Sequence, residues 1–305
     1  MHSLVGYTGF VGSNLAAKHP FDGLYNSRNV SSAFGTRPDL LVYAGVPAEM
    51  YLANTDPAAD LAVIENAAEN IRRIEPKALA LISTIAVLDD PVGAYEDCPV
   101  DPSRLTAYGR HRHRLEWLAR GIVDDCHVLR LPALFGRGIK KNFIYDIMHH
   151  FPARLDAGRF GEFAAREPAV ADCYRPEASG FFRLDAPPGR EGDLREAFRR
   201  LGFSAASFTD SRSVFQFYNL EHLWEHTGIA IRNGVGTLHL AVEKLSAAEV
   251  YAELTGGEFV NETAARPFHY DFRTRHDSLF GGSGGYIFDR RRVIGELKEF
   301  AGRAG

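Results

Sequence analysis

Near the start of the chain, Gly6-Tyr7-Thr8-Gly9-Phe10-Val11-Gly12 combines residue types and spacing that could hold a phosphate. The run follows a short apolar strand, SLVG at 3–6, and opens a segment that reads as helix from near Ser13. Glycine in such a turn permits a tight bend, lets the backbone approach a pyrophosphate and lets the helix pack closely on the strand, while the helix start offers unpaired N–H donors. The pattern therefore predicts dinucleotide binding by Gly6, Thr8, Gly9, Phe10, Val11 and Gly12. Its GxxGxxG spacing is one residue wider at the first gap than the commonest fingerprint of this kind. A glycine-rich strand-to-helix turn with no ligand would read the same. His111, His149, His150 and His276 do not stand at ligand spacing with carboxylates, so no metal is expected.

The elements that must position this turn follow from periodicity. Short apolar strands at 3–6, 23–26, 39–45, 79–84 and 127–131 alternate with helical segments around 70–74 and 115–120, the pattern of a parallel sheet covered on both faces. Near residue 150 the pattern changes to a mixed segment, 151–212, that contains a Pro- and Gly-bearing turn (186–192) and then the helical stretch DLREAFRRLG. A strand at 213–220 leads into the helix EHLWEHTG; then come a strand (LHLA), a helix after Ser246 and a polar, Gly-rich tail. The expected fold is α/β: a Rossmann-type doubly wound parallel sheet, 1–138 with a return segment 213–237, and a smaller C-terminal α/β substrate domain made of 139–212 and 238–305.

Composition narrows the function classes. Against 35 Lys and Arg stand 39 Asp and Glu, a formal net charge of −4. A mildly acidic chain lacks the broad positive field that nucleic acid demands, though local cations can still serve a small anion. No apolar run reaches the ~18 residues that would suggest a membrane span, and the opening residues read as strand and turn rather than as a secretory leader. Cys98, Cys126 and Cys173 are widely spaced and expected to be reduced and buried, in a cytoplasmic protein.

With its Gly-x-Thr-Gly-Phe-Val-Gly opening, the chain resembles the extended short-chain dehydrogenase/reductases, in particular their nucleotide-sugar members. The resemblance implies a hydroxyl at the end of the fourth strand, where Ile82-Ser83-Thr84-Ile85-Ala86-Val87 places Thr84 with Ser83 as its neighbour. It implies a catalytic Tyr-x-x-x-Lys on the next helix; here Tyr108-Gly109-Arg110-His111-Arg112 keeps the tyrosine and replaces the lysine by arginine. Arg112 can stabilise a phenolate and reach a ribose, but a guanidinium effectively never deprotonates and relays no proton. Dehydratases of the family carry Asp-Glu after the strand threonine. Ile85-Ala86 cannot shuttle protons, which leaves ketoreduction or epimerisation.

Further positions follow from the same resemblance. Asn26-Ser27-Arg28 ends the second strand without a carboxylate, which favours NADP over NAD, although a surface arginine in a polar turn is an equal reading. Ala44-Gly45-Val46 resembles the small-residue strand end beside the cofactor, and Pro132 and Leu134 resemble the wall of the nicotinamide, with Ala133 where the family has asparagine. On the substrate side, Lys141 and Asn142, and Arg273 and Arg275, could meet a diphosphate or sugar hydroxyls; solvated or salt-bridged surface would look alike. The implied activity is NAD(P)-dependent ketoreduction or epimerisation of a nucleotide-linked sugar, with Tyr108 as acid/base, Thr84 or Ser83 on the carbonyl oxygen and Arg112 favouring the phenolate. Alternatives are a dinucleotide-binding sensor or scaffold without turnover and a reductase of a non-sugar carbonyl. The expected partner is a small molecule, with neither nucleic acid nor membrane, and a homodimer is possible.

Overall fold

The computed structural model describes residues 1–304. Strand β1 (His2–Val5) is followed by helix α1 (Phe10–Lys18), β2 (Gly23–Tyr25), β3 (Leu40–Tyr43), α2 (Met50–Thr55), α3 (Pro57–Ile74), β4 (Ala78–Thr84), α4 (Ala107–Ile122) and β5 (Asp125–Leu131). One parallel sheet holds these strands with Thr237–His239 in the order Thr237–His239, β5, β4, β3, β1, β2. Because β1 has β2 on one side and β3 on the other, the chain reverses its direction of winding there, the switch point at which open α/β sheets bind ligands. The α/β, doubly wound reading of the sequence holds.

Local chemistry sets the helices that matter. Asp56 caps α3 by accepting from the Ala59 N–H at 3.0 Å, with Pro57 pre-set at the first helical position. Ile64, Ala67, Ala68, Ile71 and Ile74 then bury one stripe of α3 against Leu41, Leu79, Leu81 and Val128 of the sheet. In α4, Thr106 caps the start, and the buried positions Tyr108, Arg112, Leu115 and Ala119 form one stripe at helical spacing. Tyr108 and Arg112 thus begin that stripe, and His111 and Glu116 are buried beside it.

The chain forms two compact units. The first comprises 1–138, 214–245 and 269–296, and the second 139–213, 246–268 and the residues from Leu297 on. Gly138 and Ile139 fall in different units, and of residues 238–305 the stretches 238–245 and 269–296 go with the first unit. Leu238 and His239 complete the main sheet beside Leu129 and Arg130, because LHLA is a fully buried strand that needs a partner on the sheet edge. The tail also contains a helix, Arg290–Ala304, that its glycines and its run of three arginines concealed. Val293 and Leu297, four residues apart, are its buried anchors.

Within the second unit, Arg154–Leu155, Phe182–Leu184 and Tyr174–Pro176 make a three-stranded antiparallel sheet. Leu155, Phe163, Val170, Cys173, Tyr174, Leu194 and Phe198 give it a core of its own. The three cysteines are free thiols; Cys126 and Cys173 are buried, whereas Cys98 is only half-buried. Among the described residues no helix is long and apolar enough to cross a membrane, and no group of His, Cys, Asp or Glu is arranged to hold a metal.

The return segment supplies Phe217–Asn219, which pairs in parallel with Ala133–Phe135. Tyr218 is fully buried and its phenol lies 2.8 Å from Nδ1 of His226. Burial, reinforced by the His222 and Arg292 charges, holds the His226 ring down to about 3, so the ring is neutral beside the phenol. A histidine depressed in the folded state stabilises the fold fully above its unfolded value near 6.5, and that contribution drains away as pH falls toward 3. His226→Gln keeps an acceptor without a titration. Between pH 6.5 and 4.5 its unfolding free energy should fall less steeply than the parent's, by up to about 1.4 kcal/mol per pH unit at the acid end; equal pH dependence of the two unfolding free energies would contradict this.

Candidate active site

Three strand ends meet at the glycine turn. The Gly6 N–H donates to Tyr25 O at 2.7 Å and the Ala44 N–H donates to Val5 O at 2.9 Å, so β1, β2 and β3 close on one another at their carboxyl ends. The three motif glycines differ in what demands them. A Cβ on Gly6, whose φ is +95°, would stand 2.3 Å from the Ala44 carbonyl oxygen, and one on Gly12 would stand 2.1 Å from the Gly6 carbonyl oxygen. Backbone packing alone excludes a side chain at both. Gly9 has an ordinary φ of −80° and its missing Cβ would meet nothing closer than 3.3 Å. The fold demands glycine less strictly at position 9 than at 6 or 12, and Gly9 is exposed at the start of α1 where no side chain caps the helix.

The neighbouring predicted residues gather here. Asn26, Ser27 and Arg28 form a polar turn in which the Arg28 N–H donates to Asn26 Oδ1 at 2.9 Å and the Asn26 N–H donates to Asn29 Oδ1 at 2.7 Å; Ser27 and Arg28 are exposed. Ala44, Gly45 and Val46 continue from the end of β3. Pro132 and Leu134 lie half-buried after β5. Asn14, unremarked in the sequence, ties that segment to α1: its amide donates to Phe10 O at 2.8 Å and to Arg137 O at 2.9 Å, and its oxygen accepts from the Arg137 N–H at 3.1 Å. A polar residue on the buried face of α1 was the signal.

Tyr108 and Thr84 come together at the end of β4. Gly109 makes this possible, since a Cβ there would stand 2.1 Å from the Ala86 carbonyl oxygen. The Tyr108 N–H donates to Asn54 Oδ1 at 3.0 Å, fixing the first turn of α4. Burial pushes the phenol above its ordinary value; the Arg112 charge pulls it down, Asp60 pushes it up, and hydrogen bonding to Thr84 and Arg112 pulls it down. The phenol is thus a proton donor at neutral pH. Arg112 stacks on the Tyr108 ring, with Cζ 3.9 Å from the centroid. Its Nη1 donates to Asp60 Oδ2 at 2.5 Å and its Nη2 to Pro47 O at 2.8 Å.

Ser83 takes the opposite face of β4, as alternation along a strand requires. Its hydroxyl donates to Glu116, which pairs with Arg130 at 2.7 Å. Arg130 Nη1 lies 3.2 Å from His239 Nε2, and His239 Nδ1 lies 2.8 Å from Arg273 O. Since arginine only donates, Nε2 accepts and Nδ1 carries the proton, a neutral tautomer that burial of His239 favours. Ser83 is therefore joined to a buried brace that ties α4 to β5 and to Thr237–His239, while Thr84 is the hydroxyl beside Tyr108.

The substrate candidates are less concentrated. Arg273 pairs with Asp271, donates to Gly284 O at 2.7 Å and stacks on Tyr286. Arg275 lies over Tyr95, 3.3 Å from Asp97 Oδ2. In the second unit, Asn142 caps the helix Phe143–His149 by accepting from Ile144 and Tyr145 N–H groups, and Lys141 beside it is exposed.

No model of a known protein family matches the chain, and no curated protein does. Among solved structures it is similar over nearly its whole length to dTDP-4-dehydrorhamnose reductase from Bacillus anthracis in complex with NADP, at 15% identity and a TM-score of 0.64 over 98% of this chain and 96% of the other. The Bordetella bronchiseptica enzyme WbmG in complex with NAD and UDP is 16% identical, with a TM-score of 0.62 over 99% and 94%. MoeE5 in complex with UDP-glucose and NAD is 14% identical, with a TM-score of 0.61 over 99% of both chains. The chain shares the fold of these enzymes.

The unequal demands on the glycines are open to test by thermal unfolding. Gly12→Ala should lose about 1–3 kcal/mol or more by overpacking, whereas Gly9→Ala should stay within about 1 kcal/mol of the parent. Equal losses would show that Gly9, too, is held by packing alone.

Proposed function

We propose that the protein is an NAD(P)-dependent ketoreductase acting on a nucleotide-linked sugar. The observation that carries this reading is a buried, protonated phenol, Tyr108, set beside a strand-end hydroxyl, Thr84, at the carboxyl edge of a sheet whose first turn leaves a helix start uncapped. Enzymes of the same fold have been solved with NADP, with NAD and UDP, and with NAD and UDP-glucose, which supports the class of cofactor and substrate.

The residues present fit a dinucleotide. Gly9 leaves open the space a Cβ would take above α1, and an anion near the first N–H groups of α1 is favoured by the helix dipole. Thr8 and Gly9 are exposed there, and Ala44, Gly45 and Val46 would flank the ribose. Asn26, Ser27 and Arg28 would meet the adenosine end; with no carboxylate in that turn, NADP is the preferred coenzyme. Pro132 and Leu134 would wall the ring.

A nicotinamide held there supplies the hydride. The protein's part is acid catalysis: Thr84 holds the carbonyl oxygen, and Tyr108 Oη gives up its proton to that oxygen as the alcohol forms. The resulting phenolate lies beside Arg112, whose charge stabilises it, and it recovers a proton from solvent. Ser83 acts through the Glu116 brace rather than on substrate. Lys141, Asn142, Arg273 and Arg275 remain candidates for the diphosphate or the sugar hydroxyls. A phenol that rests protonated suits the reductive direction over oxidation.

Tyr108→Phe removes the proton donor while keeping the ring under Arg112. Reduction of a 4-keto nucleotide sugar, followed as loss of NADPH absorbance, should fall by about 10²-fold or more with melting temperature little changed. Unchanged turnover would remove Tyr108 from the reaction. Interconversion of sugars without net NADPH consumption would instead identify an epimerase, and no conversion in the parent across a panel of such sugars a binding protein. Arg28→Glu should weaken NADPH far more than NADH, through repulsion of the 2′-phosphate. Equal weakening of both would detach Arg28 from coenzyme choice.

A further inference from the structure

Arginine in place of lysine four residues after Tyr108 poses a physical problem. A guanidinium is planar, permanently charged and wider than an ammonium, so unless something fixes and balances it, it either swings away from the phenol or lowers the phenol's hold on its proton. Three restraints act on Arg112. The Tyr108 ring lies under it, the Pro47 carbonyl accepts from Nη2, and Asp60 accepts from Nη1. Only Asp60 brings a charge. Its Oδ2 also lies 2.8 Å from His111 Nδ1, so two successive residues of α4 converge on one carboxylate oxygen of α3.

The surroundings suit a held ion pair. The Arg112 and Asp60 side chains are 6% and 10% exposed, out of reach of most solvent screening. Asp60 sits in the first turn of α3, where the positive end of the helix favours an anion. The charged and titratable groups that bear on the phenol are Arg112 from α4 and Asp60 from α3, with the Thr84 hydroxyl from the end of β4. His111 acts on them only through Asp60.

We propose that Asp60 is a positioning residue that makes the Tyr-x-x-x-Arg pair serviceable: it holds the Arg112 guanidinium flat on the Tyr108 ring and offsets part of the charge that the ring's hydroxyl would otherwise feel. This deepens the reductase reading and rests on it, but its test does not need turnover. Asp60→Asn preserves shape and a hydrogen-bond acceptor while removing the charge. In an ultraviolet titration of phenolate absorbance, with Tyr108→Phe identifying the Tyr108 component, that component should move down by about one pH unit or more. An unmoved or raised titration in folded Asp60→Asn overturns the proposal.

Where activity is present, the same variant should shift the pH profile of kcat for reduction down by the same amount while KM for the ketone stays near the parent value. A structural role would lower stability without moving either titration. Should Asp60→Asn fail to fold, the parent itself serves. Nitrogen-resolved NMR, assigned with Arg112→Lys, should resolve separate, slowly exchanging Nη signals for Arg112, and a single averaged signal contradicts the clamp. Absence of turnover alongside the expected titration shift would count against the reductase reading and leave the role of Asp60 standing.

Discussion

The contact on which the site depends is between two backbones: Gly12 of α1 against the carbonyl of Gly6, with no room for even a methyl group between them. That approach fixes the direction of α1 as it leaves β1. The Gly6 turn is in turn pressed against the carbonyl of Ala44 at the end of β3. The start of α1 is thereby set beside three strand ends at the reversal of the sheet, with its first N–H groups uncapped by any side chain. On the proposed reading, an anionic coenzyme would be met by this packing geometry more than by any single side chain.

A second close approach, Gly109 against Ala86, sets the start of α4 as Gly12 sets the start of α1. It seats α4 on the end of β4 and brings the Tyr108 phenol to Thr84. Burial then raises the phenol's pKa, and a buried ion pair between α3 and α4 governs how much of the Arg112 charge it feels. On the other face of β4, the Ser83–Glu116–Arg130–His239 chain stiffens the same region. A buried ion pair of this kind contributes little net stability, because desolvation offsets attraction, but it is costly to break singly.

Much of this was legible from sequence because it is local. The glycine run follows a strand directly, the serine and threonine end an apolar strand, and Tyr108 begins a helix at a readable distance. Asp60 was not legible: it lies 52 residues from Arg112, and nothing on α3 distinguishes it from the other carboxylates of an amphipathic helix. Gly109 passed as a spacer within the tyrosine motif. Glu116 reads as an ordinary exposed helix residue until its burial beside Arg130 is seen. The three-stranded sheet of the second unit escaped for another reason, since strands of two and three residues carry too little alternation to register. The last helix escaped because two glycines and a leading run of three arginines outweigh its two buried anchors.

The account stands or falls on whether the first turn grips a coenzyme. Titrating the protein into NADPH while following nicotinamide fluorescence measures this directly. A saturable change in emission, reversed by added NADP, is the expected result. Emission that stays that of free NADPH at every protein concentration, with NADH behaving alike, would contradict it.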